Sequence, residues 1–275
     1  MRTEPLTLVD GVRHDAVPAR DRGLLYGDGV FRTLRVHQGR PRWWSAHMRK
    51  LAEDAARLAI PAPLPASWAR EVAALLSQAP AECVLKLILT RGTGLRGYRP
   101  ASQPEPRRIL QISAWPEHIE TVAARGAVVH VCDLRLAEQP RLAGIKHLNR
   151  LENVLAAREW RDGEADEGLL LDHRGRVVCG VSSNVFLVRQ GRLLTPRLTS
   201  CGVAGVARQQ VLALAAQLKL PAAEVDIGLE ELKQADEVFL TNSLIRLWPV
   251  CRLGDRQWGE VRLATELRRL LDDVA

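Results

Sequence analysis

Lysine is scarce in this chain, and one lysine is placed where its chemistry would count. Of 39 lysines and arginines among 275 residues, only Lys50, Lys86, Lys146, Lys219 and Lys233 are lysine. Arginine therefore does the routine surface work. Lys146 sits in Gly144-Ile145-Lys146-His147-Leu148-Asn149-Arg150-Leu151-Glu152, between an apolar approach and a stretch of helical periodicity. An amine can lose its proton and add to a carbonyl carbon as a Schiff base, which a guanidinium cannot do. A lysine taken alone is more often a surface group, so its neighbours in the sequence must decide. A second chemical lead is Gly205-Val206-Ala207-Arg208, at the start of a predicted helix, where backbone N–H groups and the helix dipole together favour an anion.

The elements that position these residues read as a mixed α/β fold, hairpins dominating the first half and helices alternating with strands in the second. Residues 30–36, the pair Gln38-Gly39 and residues 40–44 predict a hairpin, after which Ser45 caps a helix with Met48, Leu51, Ala55 and Leu58 on its apolar face. Strands follow at 83–90, 108–114 and 127–132, and helical periodicity runs from 148 to 160. Shorter strands fall at 168–172, 177–179 and 184–188, the last joined through Gln190-Gly191 to 192–195, with helices over 205–218 and 260–271. Trp115-Pro116 marks a boundary between an N-terminal domain, 1–116, and a C-terminal domain, 117–275, that carries Lys146.

Composition excludes several classes. A 47% hydrophobic chain of this length can bury a sizeable core. No apolar run reaches the roughly 20 residues that span a bilayer, and the polar start Met1-Arg2-Thr3-Glu4-Pro5 has no signal-peptide core, so a cytoplasmic location is expected. Five cysteines without metal-ligand spacing argue against a disulfide framework or a metal site and read as small buried hydrophobes. The formal charge of +7 is spread and interleaved with acids, which fits a small anionic substrate and gives no basic block for nucleic acid.

Five segments in order carry a family resemblance. They are Asp21-Arg22-Gly23-Leu24-Leu25-Tyr26-Gly27-Asp28-Gly29-Val30-Phe31, the Lys146 segment, Ser182-Ser183-Asn184-Val185-Phe186, Gly205-Val206-Ala207-Arg208 and Leu240-Thr241-Asn242-Ser243. Their order resembles that of the class IV aminotransferase-like, pyridoxal-phosphate-dependent enzymes (fold type IV), along nearly the whole chain. Within that group, Arg91-Gly92-Thr93-Gly94-Leu95-Arg96-Gly97-Tyr98 and the Lys146 segment look most like those of the aminodeoxychorismate lyases. The resemblance implies two α/β domains with the cofactor, pyridoxal 5'-phosphate, in the cleft between them, in a homodimer. It implies Lys146 as the residue holding the cofactor aldehyde, Val206 and Ala207 as phosphate donors and Thr241 as a second phosphate contact.

Two positions depart from the family pattern. Lys50 stands where the relatives usually have a phosphate-pairing arginine; it keeps the charge and loses the planar fork, unless Arg49 reaches in or Lys50 simply faces solvent. Cys179 stands where a glutamate would keep the cofactor's ring nitrogen protonated, and a neutral thiol does this far less well. An elimination that ends in an aromatic ring tolerates a weaker electron sink better than transamination does. The resemblance to the lyases then implies conversion of 4-amino-4-deoxychorismate to 4-aminobenzoate, a folate precursor, and pyruvate. Lys146 acts as nucleophile and then as base, and Thr33 is a further proton-donor candidate. The two substrate carboxylates point to Arg91, Arg96 and Tyr98 in the Gly-rich loop, with Arg108 a further partner. A D-amino-acid or branched-chain aminotransferase, and a noncatalytic member of the family, stay open beside this expectation.

Overall fold

The structure is a computed structural model that describes residues 6–259 and 261–273, and its chain divides into two compact units. One runs to Pro116 and takes in Lys146–Asn149; the other holds Glu117–Ile145 and continues from Arg150. The polar opening, residues 1–5, and Glu260 of the helix expected over 260–271 lie outside the described residues.

The first unit comprises β1 (Leu6–Val9), β2 (Val12–Arg13), α1 (Arg22–Tyr26), β3 (Gly29–His37), β4 (Arg40–Pro41), α2 (Trp44–Arg57), α3 (Pro65–Leu76), β5 (Cys83–Thr90) and β6 (Arg107–Ala114). Its strands form one antiparallel sheet in the order β2-β1-β6-β5-β3-β4. Period-two burial writes this sheet. Val30, Leu34 and Val36 of β3 and Leu85, Leu87 and Leu89 of β5 are fully buried on one face, while Phe31, Thr33, Lys86 and Ile88 are partly exposed on the other. Met48, Leu51 and Ala55 of α2 are buried, each apolar side chain contributing about 1.5–3 kcal/mol when fully removed from water.

The second strand of the expected hairpin is cut to Arg40–Pro41. Pro41 has no N–H to extend the ladder, and Trp43 takes a left-handed φ of 52° that turns the chain into α2. Trp43, rather than Ser45, is the N-cap, and it makes no side-chain capping bond.

The second unit contains α4 (His118–Arg125), β7 (Ala127–Leu136), α5 (Leu151–Ala156), β8 (Glu167–Asp172), β9 (Val177–Gly180), β10 (Asn184–Arg189), β11 (Arg192–Pro196), α6 (Val206–Gln217), β12 (Ala222–Val225), α7 (Leu229–Lys233), β13 (Glu237–Thr241), β14 (Trp248–Leu253), β15 (Arg256–Gln257) and α8 (Arg262–Asp273). Its mixed sheet runs β12-β11-β10-β13-β14-β7-β8-β9, with β15 paired to β14. Gln190 and Gly191 join β10 to β11 with φ of 50° and 71°, the left-handed pair that matches strand twist in a tight hairpin. Phe186 and Phe239 sit opposite each other in β10 and β13 and stack at 5.1 Å.

The helix expected from 148 shortens to Leu151–Ala156, and Lys146 belongs with the first unit rather than with the C-terminal domain. The cause is backbone pairing. Phe31 N–H donates to the Lys146 carbonyl at 3.0 Å, and Leu148 N–H donates to the Gly29 carbonyl at 3.0 Å. Groups spent on β3 cannot close a helical turn.

Candidate active site

Glycine makes room for the lysine segment in the first unit. Gly27 closes α1 in the left-handed conformation, φ 64°, and a Cβ there would strike the Asn149 side chain, which donates to the Gly27 carbonyl at 3.2 Å. A Cβ on Gly29 would lie 2.5 Å from the Leu89 carbonyl oxygen and 2.7 Å from the Leu148 side chain. The Gly27-Asp28-Gly29 motif is thus the seat of Lys146–Asn149. Asp28 itself is structural: burial opposes its charge, but hydrogen bonds from Arg91 and Arg22 hold its carboxyl below the usual range.

Asp54 anchors the lysine from the helix side. It is fully buried on α2; its Oδ2 accepts from the Lys146 backbone N–H at 2.9 Å and from the Arg32 guanidinium, and its Oδ1 accepts from Lys50 Nζ at 2.6 Å. Arg32 also donates to the Lys50 carbonyl at 2.9 Å. Lys50 is therefore a buried cation (6% exposed) neutralised within its own helix, while Arg49 points outward toward Glu53. Both a solvent-facing Lys50 and an inward-reaching Arg49 are overturned. The Lys146 amine lies 4.6 Å from the Phe31 ring centroid, a favourable cation–π contact.

His47, 2% exposed, completes this cluster, and neither ring nitrogen has a hydrogen-bond partner. Burial first, then the charges of Arg32 and Lys146, lower its pKa from 6.5 to about 3. Between those two values the unfolded chain takes up a proton that the folded protein refuses. His47's contribution is thus fully present above pH 6.5 and lost as pH falls toward 3. Thermal melts of His47→Leu are expected to depend less steeply on pH between about 6.5 and 4 than those of the wild type. Parallel slopes would rule His47 out as the source.

The carboxylate partners read from the sequence divide. Arg91 is buried; it donates from Nε and Nη2 to Asp28 at 2.7 and 3.0 Å and to the Ala59 and Leu58 carbonyls at 2.7 Å each. Arg108 pairs with Glu71 of α3 at 2.8 Å. Both fasten the first unit internally. Arg96 and Tyr98 stay exposed in the Gly-rich loop, which Arg22 ties down through the Gly97 and Tyr98 carbonyls. Thr33 is partly exposed two residues beyond Phe31, on the same strand face.

In the second unit, register brings the remaining motifs together. Asn184 of β10 sits opposite Thr241 of β13. Its side chain accepts from the Gly205 N–H at 3.1 Å and donates to the Val203 carbonyl at 2.8 Å, which fixes the start of α6. Gly205 makes no side-chain cap, so Val206 and Ala207 head the helix as backbone donors of its first turn. The buried Thr241 hydroxyl donates to the Arg246 carbonyl. Cys179 is buried in an apolar cluster with Cys132, Leu170 and Cys201, and the partly buried Arg150 lies within its electrostatic reach.

The sequence did not single out Arg32, Asp54 or Glu167. The first two carried a signal: Arg32 interrupts the inward alternation Val30, Leu34, Val36, and Asp54 falls four residues after Lys50. Glu167, wholly buried with its pKa raised by that burial, accepts from Ser182 Oγ at 2.6 Å and from the Ser182 and Gly168 N–H groups. Its carboxyl is committed to the turn before Asn184.

The family profile described as amino-transferase class IV matches residues 29–253. The chain belongs to the class IV aminotransferase family. Within class IV it is 35% identical over 245 residues to the aminodeoxychorismate lyase of Vibrio harveyi, covering 88% of this chain and 89% of that protein. The crystal structure of 4-amino-4-deoxychorismate lyase from Pseudomonas aeruginosa is similar with a TM-score of 0.93 and 47% identity, covering 98% of both chains. A D-alanine aminotransferase of Listeria monocytogenes is 30% identical over 265 residues, covering 89% of this chain and 85% of that protein. Class IV members work with pyridoxal 5'-phosphate, and their fold type IV architecture is the mixed α/β fold described above.

Proposed function

We propose that this chain is a pyridoxal-phosphate-dependent aminodeoxychorismate lyase that converts 4-amino-4-deoxychorismate to 4-aminobenzoate and pyruvate. The observation that carries the assignment is the 47% identity to the Pseudomonas aeruginosa lyase over 98% of both chains. The residues present fit the cofactor. Lys146 offers an amine anchored through its backbone by Asp54, and the uncapped start of α6 offers the Val206 and Ala207 N–H groups for a phosphate. Thr241, beside Asn184, would donate to the phosphate once its hydroxyl turns from the Arg246 carbonyl.

When bound, the cofactor supplies an electron-withdrawing ring next to the carbon that bears the substrate's amine. The chain's own residues do the rest. Lys146 Nζ takes the proton from that carbon and returns it to the departing enolpyruvyl group, with Thr33 Oγ1 the second candidate donor. Asp54 limits where Lys146 can swing, and it holds Lys50 in the cluster as its ion-pair partner. Cys179 favours elimination over amino transfer, because formation of an aromatic ring drives the former when the ring nitrogen lacks a carboxylate partner.

A cytoplasmic homodimer completes the proposal. No described helix is long and apolar enough to cross a membrane, and Leu151, Val154 and Leu155 form an exposed apolar row on α5 of the kind that a second chain covers. The deciding assay supplies pyridoxal phosphate and 4-amino-4-deoxychorismate to the purified protein. It is expected to yield 4-aminobenzoate and pyruvate in equal amounts, and no amino transfer from D-alanine or branched-chain amino acids. Amino transfer without 4-aminobenzoate would move the chain to the aminotransferases, and neither activity would sink the enzymatic assignment.

A further inference from the structure

Lys86 takes no part in the chemistry above, and its setting is unusual for a lysine. It stands in the middle of β5, with Thr33 of β3 and Gln111 of β6 as register partners. It therefore rises from the centre of the sheet rather than from an edge, where lysines commonly guard against strand pairing. Directly opposed residues share a face, as do residues two apart along a strand. Phe31, Thr33, Lys86, Ile88 and Gln111 thus form one surface, each partly exposed.

Among the described residues, the Lys86 ammonium makes no hydrogen bond and no ion pair. Its contact is the Phe31 ring, with Nζ 5.4 Å from the centroid, and the same ring lies 4.6 Å from Lys146 Nζ. Two of the five lysines in the chain therefore meet on one aromatic side chain. A partly buried ammonium that no carboxylate among the described residues neutralises favours an anionic ligand. Phe31 and Ile88 supply an apolar floor of the kind a carbocyclic ring packs against, while Thr33 and Gln111 add polar groups at its margin.

We propose that Lys86 binds a carboxylate of the substrate, beside the carbon at which Lys146 acts. The identity of the substrate rests on the lyase assignment; the anion-binding role rests on the geometry. Arg91 and Arg108, the two arginines of the expected set with ordered partners, are spent on Asp28 and Glu71. Of the substrate's two carboxylates, one is on the ring and one is on the enolpyruvyl side chain next to the reacting carbon, and Lys86 is in place to pair with the latter.

The test uses the full chain loaded with pyridoxal phosphate and the variants Lys86→Met and Lys86→Arg. Met keeps the length and the apolar contact with Phe31 while removing the charge. For turnover of 4-amino-4-deoxychorismate, K86M is expected to raise KM at least about tenfold while kcat changes less, and K86R to recover much of the loss. The independent readout is calorimetric binding of chorismate, which carries the same two carboxylates and no amine; K86M should weaken it by a similar factor. Unchanged chorismate affinity and KM in a folded K86M protein would overturn the role of Lys86 and leave the lyase assignment standing. Lys86-dependent chorismate binding in a wild-type protein that makes no 4-aminobenzoate would do the reverse. A wild type that neither binds nor turns over these compounds overturns both.

Discussion

Lys146→Ala is expected to lower 4-aminobenzoate formation by at least about 10³-fold, because one amine serves as both nucleophile and proton carrier. The effect should appear in kcat more than in KM, since the substrate's carboxylates are held by other groups. Lys146→Arg should be equally inactive: it keeps the charge, but a guanidinium neither deprotonates nor adds to a carbonyl. The fold should survive both changes. The segment is held by the Lys146 carbonyl and N–H, through Phe31 and Asp54, and the side chain is only partly buried. Steady-state assays with circular dichroism as the control check this. A K146A protein that is folded and retains more than about a tenth of wild-type activity would falsify the assignment of chemistry to Lys146.

Asp54→Ala should have the largest effect on stability. It leaves Arg32, 1% exposed, and Lys50, 6% exposed, buried beside each other without their shared carboxylate. Removing one partner of a buried ion pair costs about 3–5 kcal/mol, because the remaining charge stays desolvated. For a chain of this size the melting temperature should drop on the order of 10 °C. Asp54→Leu combined with Arg32→Met and Lys50→Met should recover a good part of that loss, since apolar groups of similar volume often replace a buried ionic cluster without penalty. The triple variant should nonetheless react more slowly, having lost the acceptor for the Lys146 N–H. If D54A melts like the wild type, the cluster is not the clamp that the distances describe.

The sequence determined a good deal of this. Alternation of apolar residues marked β3, β5 and β6 nearly to their ends, because one face of each strand is buried and the period of two is strict. Gln190-Gly191 announced its hairpin because few residue pairs accept two left-handed conformations in a row. The rarity of lysine marked Lys146, since only a chemical difference between amine and guanidinium gives a reason to use one where the other is the rule. Five ordered motifs then led to a family that the comparison with known proteins confirms.

What needed the tertiary structure was every assignment that depends on where a side chain's partners come from. Arg91 and Arg108 look alike in sequence to free carboxylate binders; their partners, Asp28 and Glu71, lie 63 and 37 residues away. Lys50 looked like a substitute at a phosphate site or a solvent-facing group, and it is the buried partner of Asp54. The helix drawn from residue 148 failed because backbone groups of Lys146 and Leu148 pair with β3, more than a hundred residues earlier. Periodicity reports which face of an element is buried, and motifs report which residue types are present. Neither reports which donor meets which acceptor, because hydrogen bonds and ion pairs are satisfied in space between segments whose separation along the chain carries no signal.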